Sequence, residues 1–154
     1  MIDCAIESFA DEPNSDVDAE ATSAPVALAP LHQRFGLETV FAVTMQAVSG
    51  AGYPGVASLD ILGNVIPYIA KEEEKMEEET RKLLGQVAGA AIQPAPFRMS
   101  AQCNRVAVED GHTESIAVKL RQPATAEDVI ACWNEFRGVP QELKLPTAPT
   151  RPLV

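Results

Sequence analysis

The sequence predicts an α+β fold. Residues 39–46, 97–108 and 113–120 read as extended strands, the first and last with a two-residue apolar alternation. Residues 70–85 and 125–137 carry helical spacing between recognisable start and stop signals. The 154 residues suffice for one domain with a real core, and a hydrophobic content of 46% is ordinary for a globular chain.

Composition excludes several classes of function. A net charge of −10 with no basic stripe argues against nucleic acid. No apolar run approaches the length of roughly eighteen residues that a membrane helix needs, and the N-terminus lacks the pattern of a signal peptide. Cys4, Cys103 and Cys132 are few, odd in number and widely spaced, which suits reduced thiols in the cytoplasm. No CxxC occurs and the two histidines lack ligand spacing, so no metal is expected.

Asp3, Glu7, Asp11, Glu12, Asp16, Asp18 and Glu20 crowd the first twenty residues, which hold no Lys or Arg. Seven of the ten net negative charges therefore lie there, and the remaining chain is near balance (−10 minus −7 leaves −3). Residues 1–24 are expected to form an acidic leader with a poorly ordered middle, ahead of a domain over 25–154.

Pro25 suits a helix start, Pro30 is expected to interrupt the helix, and Gly36 to end it. The strand to Gln46 then breaks into Ser49-Gly50-Ala51-Gly52-Tyr53-Pro54-Gly55. Three glycines and a proline in seven residues make a loop that lets backbone approach a ligand closely, with the Gln46 amide at its mouth. A tight connection without a ligand is the alternative reading.

Residues 56–69 read as an apolar connection. The helix over 70–85 has acidic first turns, Arg81 and Lys82 in its last turn, Gly85 as its stop, and Met76, Thr80, Leu83 and Leu84 as its buried stripe. Most of its glutamates read as a solvated face. Residues 86–96 read as a loop, and the strands on either side of Glu109-Asp110-Gly111 as a β-hairpin. Thr125 caps the last helix, with Asp128 three residues on and Val129, Ile130, Trp133 and Phe136 as its apolar stripe.

Several blocks carry a resemblance. They are Thr44-Met-Gln-Ala-Val-Ser-Gly-Ala-Gly-Tyr-Pro-Gly55, Asn64-Val-Ile-Pro-Tyr-Ile69, Glu72-Glu-Glu-Lys-Met-Glu-Glu-Glu-Thr80, Cys103-Asn-Arg-Val106 and Gly111-His-Thr-Glu114. In this order the chain resembles the aspartate-semialdehyde dehydrogenase family, in its fungal and archaeal branch, over roughly residues 25 to 154. The resemblance is to the substrate-binding and dimerisation domain. It implies a mixed sheet with packed helices, a homodimer, and a small-molecule substrate bearing a carboxylate or other anionic group.

By residue match it also implies His112 as general acid/base and Gln46 as the amide that orients substrate. Arg105 becomes the carboxylate clamp, with Glu72 and Lys75 as contacts to amino and phosphate groups, and Asn104, Ser49 and Gly50 as further substrate contacts. A surface histidine and a strand-edge ion pair are the plain alternatives for His112 and Arg105. Cys103, two residues from Arg105, is a possible reactive thiol.

The departures matter as much. The family's nucleophilic cysteine falls at about Ala19 here, and without a thiolate no acyl-enzyme forms. Only about twenty residues precede that point, too few for a dinucleotide-binding βαβ unit. The expectation is therefore no cofactor and no dehydrogenase activity. One reading is a repurposed enzyme of specialised biosynthesis, performing isomerisation, cyclisation, hydration or hydrolysis. The others are a non-catalytic dimerising partner of a full-length relative, or a residual dehydrogenase fragment.

Overall fold

The computed structural model describes residues 2–8 and 19–153, with side chains from residue 23 onward. In chain order the elements are β1 (Ile2–Ser8), α1 (Ala19–Phe35), β2 (Leu37–Gln46), α2 (Ser58–Ile61), β3 (Val65–Ile66), α3 (Glu72–Leu83), β4 (Gln86–Ala88), β5 (Ala91–Gln93), β6 (Arg98–Val106), β7 (His112–Leu120), α4 (Ala126–Glu135) and α5 (Val139–Glu142). A 3₁₀ turn at Val48–Ala51 follows β2. The α+β expectation holds, with a mixed sheet and packed helices.

The sheet runs β1-β7-β2-β6-β3, and β2 lies at its centre. It pairs in parallel with β6 and antiparallel with β7. The expected hairpin of β6 and β7 is therefore corrected: β2 lies between them. β2 has Leu37, Val40, Ala42, Thr44 and Gln46 buried, which favours a place where neighbours cover both edges. The loop 107–111 steps across its end, where Val48 N–H donates to Val108 O at 2.8 Å and Ser49 N–H to Glu109 O at 3.2 Å.

Strand alternation divides the sheet into two faces. Leu37, Val40 and Ala42 of β2, Cys103 of β6, and Ile116 and Val118 of β7 join the core formed with α1, α3 and α4. Helix α1 contributes Ala24, Leu28, Leu31 and Phe35, an i, i+4, i+7 series. On the opposite face no helix packs among the described residues, and Phe41 and Met45 are 46% and 36% exposed.

Helix α1 departs from expectation in two ways. It starts at Ala19 rather than near Pro25, and it passes through Pro30 unbroken. A proline inside a helix costs about 3 kcal/mol, but Leu28 and Leu31 flank it and are almost wholly buried, each worth about 1.5–3 kcal/mol. Trp133 Nε1–H also donates to Ala27 O at 2.9 Å, bracing the same turn from α4. Gly36, at φ 71, ends the helix as expected. β1 occupies the outer edge of β7, from Ile2↔Val118 to Ser8↔His112, within the stretch read as a leader. The expected disorder of the leader's middle falls on residues 9–18, outside the described residues.

Smaller corrections have local causes. Residues 86–96 contain a two-stranded ribbon, β4 with β5, where a loop was expected. Residues 56–69 hold α2 and β3. Leu83 and Ile130 are exposed. In α4 it is Cys132 that turns inward beside Val129, three residues on and so on the same helix face. The Thr125–Asp128 capping box forms. Among the described residues no helix is long and apolar enough to cross a membrane.

Candidate functional site

The two parallel strands β2 and β6 end at one edge of the sheet, and ligand sites in α/β arrangements gather at such carboxyl ends. Gln46 is the last residue of β2. Its register partners are Arg105 on one side and His112 on the other. Residues in register share a face, so all three side chains lie on the helix-covered side. Gln46, Arg105 and His112 are only 2%, 6% and 8% exposed. The structure brings together these three expected residues through β2 rather than through a hairpin.

Ala47 fixes the pair. Its N–H donates to His112 Nδ1 at 3.1 Å, and its C=O accepts from Arg105 Nη1 at 2.7 Å. A histidine that accepts at Nδ1 is a neutral imidazole with its proton on Nε2. The peptide bond at Ala47 thus selects the tautomer. Among the described residues no carboxylate lies within ion-pair distance of Arg105, and its only partner there is this neutral carbonyl.

Gly50 lies against the same two side chains. A Cβ at this position would stand 2.9 Å from Arg105 Nη1, 3.4 Å from His112 Cε1 and 3.8 Å from His112 Nε2. Ser49 precedes it and is exposed on the 3₁₀ turn. The run from Gly50 to Gly55 has the spacing G-x-G-x-x-G, but no full helix opens there. The next helix, α2, has four residues, so this loop does not open onto the long helix that follows such a glycine run in dinucleotide folds.

A second polar layer lies one register step inward. Thr44, Cys103 and Glu114 are register neighbours and wholly buried. Ser23 Oγ–H of α1 donates to Glu114 Oε1, and Gln46 Nε2 approaches Thr44 Oγ1 at 3.5 Å. Ser23 lies one turn after Ala19, so the first turn of α1 starts at the His112 end of the sheet. Cys103, the possible reactive thiol, is packed in this layer with no exposed surface.

Other expected residues fall elsewhere. Asn104 alternates to the opposite face of β6, where its Nδ2 donates to Thr44 O at 3.1 Å. Glu72 and Lys75 are half-buried in the first turn of α3, three residues apart and so on one side of it.

Glu73 and Glu77 were hidden in the acidic run. Glu73 Oε1 accepts Cys103 N–H at 3.2 Å, and Glu77 Oε1 accepts Ala101 N–H at 3.0 Å. Four residues of helix rise about 6 Å, close to the roughly 6.6 Å of two strand residues, so i, i+4 carboxylates match alternate strand donors. They cap the edge of β6 that β3 leaves uncovered, since β3 reaches only Val106 and Arg105. Among the described residues no group of three metal-ligating side chains gathers.

This arrangement is that of the dimerisation half of a semialdehyde dehydrogenase. The family model "Semialdehyde dehydrogenase, dimerisation domain" matches residues 28–152, and the chain belongs to that family. The aspartate-semialdehyde dehydrogenase of Methanothermobacter thermautotrophicus is 46% identical over 127 residues, covering 82% of this chain and 37% of that protein. That of Trichophyton rubrum is 48% identical over 126 residues, covering 77% and 34%. The crystal structure of the Candida albicans enzyme with NADP superposes with a TM-score of 0.76 at 39% identity, covering 86% of this chain and 38% of that one. The chain thus spans well under half the length of these archaeal and fungal relatives.

Proposed function

We propose that this domain binds a small carboxylate-bearing intermediate between Arg105 and His112 and acts on it by acid/base chemistry without a redox step. The observation that carries the reading is Arg105. A nearly buried guanidinium with one neutral carbonyl partner is costly as it stands, and a carboxylate is the group that offsets that cost. His112, held by Ala47 with Nε2 toward Gly50, then meets the reacting end of the same molecule. Gln46 lies between them to orient it. Isomerisation, cyclisation, hydration and hydrolysis all need only a placed proton donor or acceptor. A specialised biosynthetic pathway suits such a domain, and the buried Cys103 and Cys132, which form no disulfide, are consistent with a reducing, cytoplasmic setting.

The relatives' names point to a probe, L-aspartate semialdehyde, which carries both a carboxylate and a carbonyl. In deuterated buffer, NMR would follow isotope entry at the carbon next to the aldehyde. The domain should accelerate exchange over buffer, and His112→Ala should remove about 10²–10⁴ of that acceleration. Exchange at the buffer rate with wild-type protein would end the catalytic reading.

A second reading rests on the uncovered sheet face. Phe41 and Met45 stand exposed on a surface no described helix packs against, and such a patch marks an interface. The domain would then dimerise with itself or with a full-length relative. Native mass spectrometry after co-expression with an intact aspartate-semialdehyde dehydrogenase tests this, and Phe41→Glu should abolish the mixed species.

A further inference from the structure

The outer edge of β6 is held in two ways. β3 pairs with its last two residues, Val65↔Val106 and Ile66↔Arg105, and no described strand covers the residues before them. There α3 takes over. Glu73, Glu77 and Arg81 recur at i, i+4 and i+8, which makes them one stripe of the helix. The stripe meets Cys103 N–H, then Ala101 N–H, then Ala95, whose N–H donates to Arg81 O at 2.8 Å. Helix numbers rise as strand numbers fall, so α3 runs antiparallel to β6. Its first turn therefore stands at the carboxyl end of β6, where Arg105 is. Cys103 lies one strand period before Arg105, and a carboxylate holds an amide more firmly than a neutral carbonyl does.

We propose that Glu73 is a positioning residue for Arg105, with Glu77 as its second point of attachment. This role rests on the reading of Arg105 as a carboxylate clamp. The guanidinium is fixed at its tip by Ala47 O, 2.7 Å from Nη1, and at its base by the backbone of β6. Glu73 steadies the base. Without its acceptor, the N–H of the buried Cys103 is left unpaired at a strand edge, and the strand end opens locally. His112 is on β7, across β2 from this edge. Its bond is to Ala47 N–H, which lies in a different peptide plane from the Ala47 C=O that Arg105 uses. Loss of Glu73 should therefore weaken the hold on a carboxylate and spare proton transfer.

NMR relaxation on the isotope-labelled full chain reads the position directly. The Nε–H order parameter of Arg105 should fall in Glu73→Ala and recover in Glu73→Gln, which keeps an acceptor oxygen. Arg121, held by Leu37 O and Pro96 O at the other end of β2, should be unchanged. Glu77→Ala, one strand period further from Arg105, should give a smaller fall. With succinate as the probe, Glu73→Ala should raise Kd about tenfold. With L-aspartate semialdehyde it should raise the KM for isotope exchange by a similar factor at unchanged kcat. The succinate effect should vanish when Arg105→Ala is already present and persist beside His112→Ala. An unchanged Arg105 order parameter in folded Glu73→Ala overturns the proposal, as does an equal fall at Arg121. No recovery in Glu73→Gln, or a succinate effect undiminished beside Arg105→Ala, also overturns it. If Glu73→Ala does not fold, Glu77→Ala decides by the same readouts. If wild type neither binds succinate nor exchanges the aldehyde, the clamp reading falls, and the order parameters still decide whether Glu73 holds Arg105.

Discussion

The two histidines stand at opposite ends of the same strand and are held in the same way. Leu37 N–H, at the start of β2, donates to His32 Nδ1 at 3.3 Å, and Ala47 N–H, just past its end, donates to His112 Nδ1 at 3.1 Å. Their surroundings differ. The His32 ring meets Phe97 edge-on, with ring centroids 5.6 Å apart, beside Phe35 and Leu37 of the core. The His112 ring meets a glycine and an arginine. A backbone donor at Nδ1 therefore does not mark a catalytic histidine. What distinguishes the two is whether the ring packs on an aromatic side chain or lies beside a glycine and an arginine.

The largest effect that sharpens this contrast belongs to the apolar end. Leu31→Ala removes an almost wholly buried side chain from α1 where Pro30 already weakens the helix. It should lower unfolding stability by about 2–5 kcal/mol. Urea denaturation measures it, and a loss below about 1 kcal/mol would show that the turn collapses onto the vacancy. Next is the capped edge of β6. Glu73→Ala leaves the N–H of a buried strand residue without its acceptor, at a cost of about 1–3 kcal/mol. Glu73→Gln keeps an acceptor oxygen and should recover most of that loss. Equal losses in both variants would show that charge on the helix, not the hydrogen bond, is what matters.

Much of the fold was legible because it depends on local pattern. The strand to Gln46, the Thr125 cap and the Gly36 stop are each written within a few residues. The topology was not, because no local signal distinguishes a β6–β7 hairpin from two strands with β2 inserted between them. The proximity of Arg105 to His112 was thus expected from the wrong pairing, while the structure supplies it through Gln46. The roles of Glu73 and Glu77 had a signal, their i, i+4 spacing, masked by four other glutamates within residues 72–79 and by the ordinary solvated reading of such runs. The Ser23–Glu114 contact joins residues 91 apart and had none. Ala47 acts entirely through its backbone, so its side chain announced nothing.

A smaller effect concerns Thr80. Its side chain is wholly buried in α3, yet its Oγ1 has no hydrogen-bond partner among the described residues. Valine has the same shape without the hydroxyl, and removing an unsatisfied buried polar group is stabilising by about 1 kcal/mol. Thr80→Val should therefore raise the thermal midpoint. A lowered midpoint would indicate a partner that the described residues do not include.

The smallest effect is a pH dependence carried by His32. Burial first, and then the Arg121 guanidinium, hold its pKa below the ordinary 6.5. The folded state thus favours the neutral ring, and the Leu37 N–H bond to Nδ1 requires it. The unfolded chain binds the proton more readily, so the stabilisation is complete above the unfolded pKa and declines as pH falls through the depressed folded one. His32→Asn keeps an acceptor near the position of Nδ1 and removes the titration. Between about pH 7.5 and about pH 5.5, where histidine is the side chain that ordinarily titrates, the urea midpoint of wild type should fall more than that of the variant. His112→Asn, measured alongside, separates the contribution of the other ring. Parallel midpoints for wild type and His32→Asn would show that His32 is reached by solvent as freely when folded as when unfolded, and the contrast between the two ends of β2 would then lose its structural half.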